Sequence, residues 1–368
     1  LCAVIANVSY LVIVFSALSF FTDTPELRLF GDGNTWQSIV GASALLWIVH
    51  FLILRGVQTA ASINLVATLA KLLPLGLFVV LAMMMFKLDT FKLDFTGLAL
   101  GVPVWEQVKN TMLITLWVFI GVEGAVVVSA RARNKRDVGK ATLLAVLSAL
   151  GVYLLVTLLS LGVVARPELA EIRNPSMAGL MVEMMGPWGE IIIAAGLIVS
   201  VCGAYLSWTI MAAEVPFLAA THKAFPRIFA RQNAQAAPSA SLWLTNICVQ
   251  ICLVLIWLTG SDYNTLLTIA SEMILVPYFL VGAFLLKIAT RPLHKAVGVG
   301  ACIYGLWLLY ASGPMHLLLS VVLYAPGLLV FLYARKTHTH DNVLNRQEMV
   351  LIGMLLIASV PATWMLVG

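Results

Sequence analysis

Charged residues are scarce in this sequence: Asp, Glu, Lys and Arg make up 11% of the chain, whereas hydrophobic residues make up 61%. A soluble domain is excluded, because the chain has too few charged side chains to cover a surface that faces water. The mean hydropathy of +0.99 supports the same conclusion. The chain is therefore predicted to be an integral membrane protein that lies in a lipid bilayer.

Disulfide frameworks, metal motifs and catalytic motifs are also lacking. The five cysteines are scattered, without the spacing of a disulfide framework or a metal site. The sequence contains no H-E-x-x-H, no G-x-S-x-G and no P-loop. We therefore predict no enzyme activity, no cofactor and no bound metal. An intramembrane enzyme is the alternative from another class, but no nucleophile and base stand out as a pair.

Long apolar runs fill most of the chain, and the loops between them are too short to hold a soluble domain. A run of about twenty residues is enough to cross a bilayer as a helix. We predict a single polytopic transmembrane domain over residues 1–368. Its eleven predicted spans are 2–21, 38–55, 62–86, 111–130, 141–164, 188–213, 240–259, 264–287, 294–312, 315–334 and 348–367.

The distribution of Lys and Arg predicts the orientation of these spans. Alternate loops carry fifteen cations on one side and six on the other. Because cations concentrate in cytoplasmic loops, the first side is predicted to be cytoplasmic. A net charge of +5 is explained by these loops, so no nucleic-acid partner is predicted. The cytoplasmic loops are 131–140, 219–239, 288–293 and 335–347.

The span 111–130 carries the strongest functional signal. It contains one carboxylate, Glu123, which an apolar bilayer tolerates only beside a cavity or a partner. Gly121 and Gly124 bracket this carboxylate. Glycines at this spacing let a spanning helix unwind, and unwound backbone in a bilayer lines a protein-walled cavity. The span is therefore predicted to be a broken helix that binds a ligand.

The pattern W-x-F-x-G-V-E-G, followed by R-x-K-R-D-V-G-K-A-T, resembles the sixth helix and following loop of the basic amino acid/polyamine antiporters. These antiporters belong to the amino acid–polyamine–organocation superfamily. Within it, the sequence of this segment is most similar to that of the arginine/ornithine antiporters. The resemblance implies an all-α transporter of the LeuT type, with a five-plus-five inverted repeat. It also implies that two helices precede residue 1 and that the protein forms a homodimer.

The same resemblance implies roles for several aromatic and polar residues. Trp117 corresponds to an aromatic gate that closes over substrate, and Trp208 to a residue that stacks on a basic side chain. The loop H-K-A-F-P-R-I-F-A-R-Q-N, similar to a family signature, fixes the register of Trp208. Asn7 stands where relatives carry an asparagine that contacts substrate or the sixth helix; interhelical hydrogen bonding is the alternative. Tyr278 is a candidate gate hydroxyl.

Three charged residues at membrane depth are candidates for coupling. Glu123 could change protonation as substrate binds, since burial favours the neutral form of a carboxyl. Lys71 lies about ten residues from either end of its span, and in proton-coupled relatives a lysine on this helix replaces a bound cation. It is expected to be buried. Glu272 could meet a cationic substrate or form a salt bridge with Lys71.

Together these features predict a secondary transporter of the bacterial cytoplasmic membrane that exchanges arginine and ornithine by alternating access. Proton-coupled symport is an alternative mechanism. Lysine, histidine, agmatine and cadaverine are alternative substrates. A channel would need a continuous pore lined by polar rings, and these spans are too apolar for that.

Overall fold

The computed structural model describes residues 1–122, 124, 134–172, 175–261, 263–338 and, near the C-terminus, 348–350, 352–357 and 359. The regular secondary structure of this part of the chain is helical throughout. Its helices are α1 Cys2–Thr22, α2 Trp36–Arg55, α3 Val57–Met85, α4 Leu88–Lys92, α5 Val104–Trp117, α6 Lys135–Val163, α7 Arg166–Glu171, α8 Ser176–Met185, α9 Pro187–Thr221, α10 Ser239–Thr259, α11 Tyr263–Ile288, α12 Pro292–Ser312 and α13 Pro314–His338.

Seven of the described helices, α1, α2, α6, α9, α10, α11 and α12, are long and apolar enough to cross a membrane. The prediction of an all-helical, multi-pass membrane protein is confirmed at this level. The helices α1, α2, α10 and α11 begin and end within two residues of the corresponding apolar runs. The helix α9 is an exception, because its 35 residues continue to Thr221 rather than ending near 213. At about 52 Å it is longer than the hydrocarbon core of about 30 Å, so its last turns extend beyond that core.

The helix α1 lies at the centre of the described bundle. Almost every residue from Val4 to Ser19 is buried, and α1 contacts α2, α9, α10 and α11. These five helices form one apolar cluster, in which Leu11 and Val8 of α1 are fully buried beside Leu242 of α10. A helix buried on all sides explains why its sequence is apolar without a polar face.

Two further apolar clusters connect the outer helices to this centre. One contains Phe78 of α3, Met181 of α8 and Ile193 of α9, with side chains of α6 packed against it. The other joins Leu116 of α5 to Leu275 of α11 and to α12. This second contact places the end of α5 beside the middle of α11.

The loop between α1 and α2 is fixed by Asp23, the residue at which α1 ends. Its carboxylate accepts hydrogen bonds from the backbone N–H of Phe30 at 3.0 Å and of Gly31 at 2.7 Å. Partial burial of Asp23 acts in the opposite direction, but these bonds hold the pKa of the carboxyl below its usual value. The loop is thus held in place next to the α1 end.

Candidate functional site

The helix α5 ends at Trp117, within the segment where the glycines predict an interruption. After it, the chain turns through tight hydrogen bonds, from Phe119 N to Leu116 O at 3.0 Å and from Ile120 N to Trp117 O at 3.1 Å. Gly121 then takes φ +110°, which no helical residue adopts. The predicted carboxylate Glu123 lies outside the described residues, as do residues 125–133.

Close packing against α9 explains why glycines stand at the break. A Cβ atom added to Gly121 would lie 2.8 Å from Cζ2 of Trp208, and one added to Gly124 would lie 2.5 Å from Sδ of Met211. Trp208 and Met211 are three residues apart on α9, so they share one helical face. The unwound segment therefore rests directly on this face, and Trp208 lies where a larger residue at 121 would be.

Four aromatic side chains from four helices meet around the broken end of α5. The ring centroid of Tyr10 lies 6.3 Å from that of Trp117 and 6.2 Å from that of Trp208, with both pairs tilted. The indole N–H of Trp117 lies near the hydroxyl of Tyr263, where the indole can only be a donor and the hydroxyl can accept. The structure thus brings Trp117 and Trp208, two candidate residues of the sequence analysis, to the same tyrosine, Tyr10. Sequence reasoning missed both Tyr10 and Tyr263.

A further tyrosine caps the broken helix itself. The hydroxyl of Tyr153 on α6 donates to the backbone carbonyl of Val118 at 3.3 Å, and its ring packs edge-on against Phe119 with centroids 5.8 Å apart. The last carbonyls of a helix lack partners within the helix. Tyr153 therefore stabilises the position at which α5 stops.

Asn7 lies on α1, one turn before Tyr10 and on the same face. It is fully buried, and neither its amide oxygen nor its amide nitrogen has a hydrogen-bond partner in the described part of the chain. An unmet amide at such depth costs about 1–3 kcal/mol. The geometry offers this amide to a polar group that would enter beside the aromatic side chains.

The middle of α11 approaches the same place from another side. Tyr278 packs with Leu275 against Leu116 of α5, and Ile120 of the unwound segment belongs to the same cluster. Glu272, one and a half turns earlier on α11, is 1% exposed. Both predicted residues of this helix therefore lie inside the bundle, and Tyr278 lies next to the broken end.

Lys71 does not belong to this group. Its side chain is exposed on α3, so the prediction that it is buried is wrong for the described bundle. Hydropathy locates a residue at membrane depth, but it does not determine which face of the helix carries it. An exposed lysine on an apolar helix can extend its flexible stem towards the interface. The salt bridge considered between Lys71 and Glu272 would join an exposed side chain to a fully enclosed one.

The arrangement suits a small organic cation. Indole and phenol faces attract ammonium and guanidinium groups, and unwound backbone in a bilayer supplies polar atoms to a bound ligand. Aromatic side chains around an interrupted helix within a membrane bundle are typical of membrane transporters of small solutes. The residues that form it come from α1, α5, α9 and α11, which are far apart in the sequence.

Comparison with known proteins identifies the family. The model of the amino acid permease family matches residues 1–356, and the chain belongs to this family. It is 44% identical over 351 residues to an arginine/ornithine antiporter of Pseudomonas aeruginosa, covering 90% of this chain and 72% of that protein. It is 38% identical over 382 residues to an arginine/agmatine antiporter of Chlamydia pneumoniae, covering 98% and 78%. A Chlamydia caviae arginine/agmatine antiporter is 40% identical over 360 residues, covering 93% and 73%.

Proposed function

We propose that this protein is a secondary transporter that exchanges basic amino acids, arginine against ornithine, by alternating access. The names of its relatives support the substrate class. The observation that carries the proposal is the contact of the unwound segment at Gly121 with Trp208, beside Trp117 and Tyr10. These rings offer π faces to a cationic side chain at the point where a spanning helix is interrupted.

The proposed roles follow from these positions. Trp117 closes over the substrate, and Trp208 stacks on its side chain. Asn7 supplies an amide to a polar group of the substrate, which would satisfy its unmet hydrogen bonds. Gly121 and Gly124 allow the backbone to stay unwound and accessible to the substrate. Tyr278 gates the site from α11.

The finer architecture belongs to the same proposal. We infer a LeuT-type five-plus-five inverted repeat, with eleven spans in this chain. We further propose a homodimer in a bacterial inner membrane. The loops 131–140, 219–239, 288–293 and 335–347 would then face the cytoplasm, since they carry most of the cations.

Uptake of radiolabelled arginine into proteoliposomes tests the proposal. We expect internal ornithine to accelerate uptake by at least about tenfold over empty vesicles, because an exchanger reorients rapidly only when loaded. Uptake driven by an inward proton gradient without internal substrate would indicate symport instead. Rapid uptake that depends on neither internal substrate nor a proton gradient would indicate a channel. Chemical conversion of arginine without its accumulation would indicate an enzyme. Agmatine, lysine, histidine and cadaverine replace ornithine in parallel vesicles to rank the substrates.

The two acids at membrane depth are expected to respond differently to substitution. Glu123→Gln should flatten the pH dependence of exchange between about pH 5 and 8 and reduce its rate, because the titrating group is lost while its shape remains. Glu272→Gln should mainly lower the thermal midpoint, since Glu272 is 1% exposed and packs inside the bundle on α11. Exchange rates across this pH range and thermal unfolding of both variants provide the measurement.

The opposite result for the two variants would assign the coupling role to Glu272. If Glu123→Gln kept the parental pH profile while Glu272→Gln flattened it, Glu272 and not Glu123 would be the group whose protonation follows substrate. Glu214→Gln serves as the matched control, because Glu214 lies near the end of α9, where a carboxylate can reach the interface. It should leave both the pH profile and the exchange rate unchanged.

A further inference from the structure

The helix α11 contains a proline, Pro277, in its interior. Proline has no backbone N–H, so the carbonyl four residues earlier loses its helical partner, and the ring pushes that carbonyl outwards. In α11 this carbonyl belongs to Met273, which is itself 2% exposed. At membrane depth a free carbonyl has no water to accept from, and another part of the protein must satisfy it.

The partner of this carbonyl comes from α13. The hydroxyl of Tyr324 donates to Met273 O at 2.6 Å, the distance of a strong O–H···O hydrogen bond. The two residues are 51 positions apart, so this bond joins separate helices at the one point of α11 where the helical ladder is interrupted. A helix bends most easily at such a point.

This point of α11 is in contact with the broken end of α5. Leu275 and Tyr278, on either side of Pro277, pack in one cluster with Leu116 and Ile120. Leu116 immediately precedes Trp117, and Ile120 immediately precedes Gly121. The residues of α11 next to Pro277 therefore connect the hydrogen bond of Tyr324 to the segment that follows Leu116.

We propose that Tyr324 is a positioning residue for transport: its hydroxyl holds α11 in the conformation against which the broken end of α5 packs. This inference rests on the proposed exchange function, and it adds a residue outside the substrate site. If the bond differs in strength between two orientations of the transporter, its loss shifts the balance between them. The rate of exchange then changes although the substrate site is intact.

The test is a double-substitution cycle between Tyr324 and Pro277. Tyr324→Phe removes only the hydroxyl, and we expect the maximal exchange rate for arginine to fall about five- to tenfold, with KM within about twofold. Pro277→Ala restores a backbone N–H, which can bond to Met273 O within the helix. In the Pro277→Ala background, Tyr324→Phe should therefore have little further effect on either the exchange rate or the thermal midpoint.

Tyr333→Phe is the matched control, because Tyr333 lies on the same helix and is 61% exposed; it should exchange like the parent. Equal effects of Tyr324→Phe in both backgrounds would overturn the assignment of the bond. A lowered thermal midpoint with unchanged exchange would reduce Tyr324 to a structural role and overturn the proposal as well. If the parental protein itself did not exchange arginine, the proposed function would fail, and this inference with it. The thermal midpoints of the parent, the two single variants and the double variant are measured as well. They allow the cycle to be evaluated even if Pro277→Ala itself slows exchange.

Discussion

Replacing Trp117 by leucine is expected to lower arginine exchange by at least about tenfold, whereas Trp117→Phe should retain a substantial part of it. An aromatic face over a desolvated cation contributes up to about 2 kcal/mol, and only the leucine variant loses that face. The phenylalanine variant still lacks the indole N–H that lies near the Tyr263 hydroxyl, so its exchange should lie between that of the parent and that of the leucine variant. Initial rates and KM in ornithine-loaded proteoliposomes give the comparison.

An exposed tryptophan separates this effect from a general loss of packing. Trp188→Leu, on α9, removes an indole that is 69% exposed, and it should exchange like the parent. Equal losses in Trp117→Leu and Trp117→Phe, at normal expression, would argue against cation binding by the ring. Trp117 would then act only through its contacts with Tyr10 and Tyr263.

The helix boundaries of α1 were predictable, because the polar residue that ends its apolar run also ends the helix. The span 2–21 matches Cys2–Thr22, since Asp23 follows it directly. By contrast, α5 begins at Val104, seven residues before the predicted span, because Glu106 and Lys109 form its first turns. Hydropathy measures how deep a segment lies in the bilayer, whereas hydrogen bonding determines where the helix begins.

The candidate site was predictable only where the sequence carries a local signal. The glycine pattern predicted the break at Gly121, and the structure shows an irregular backbone there. Nothing near Tyr10 or Tyr263 in the sequence marks them, because their importance arises from contacts across the bundle. The same holds for Tyr324. Pro277 predicts from the sequence that the Met273 carbonyl has no hydrogen-bond partner within the helix. Only the packing of α13 shows that Tyr324 is the residue that bonds to it.

A side chain at position 121 should be harmful for two independent reasons. Gly121 has φ +110°, where an L-residue is strained at a cost of about 1–3 kcal/mol. A Cβ atom there would also lie 2.8 Å from the Trp208 indole, so the indole would have to move from its place beside Tyr10. We therefore expect Gly121→Ala to lower arginine exchange by more than about tenfold and to lower the thermal midpoint.

A double variant distinguishes the two causes. Trp208→Phe shortens the side chain that the new Cβ would meet, so a clash predicts that Gly121→Ala costs less thermal stability in the Trp208→Phe background. Backbone strain alone predicts the same loss in both backgrounds. Gly151→Ala is the control, because Gly151 lies in α6 with nothing within 4 Å of an added Cβ, where alanine should stabilise the helix by about 0.5–1 kcal/mol. Parental exchange and stability in Gly121→Ala would show that the break needs no glycine, and the contact with Trp208 would then not define the site.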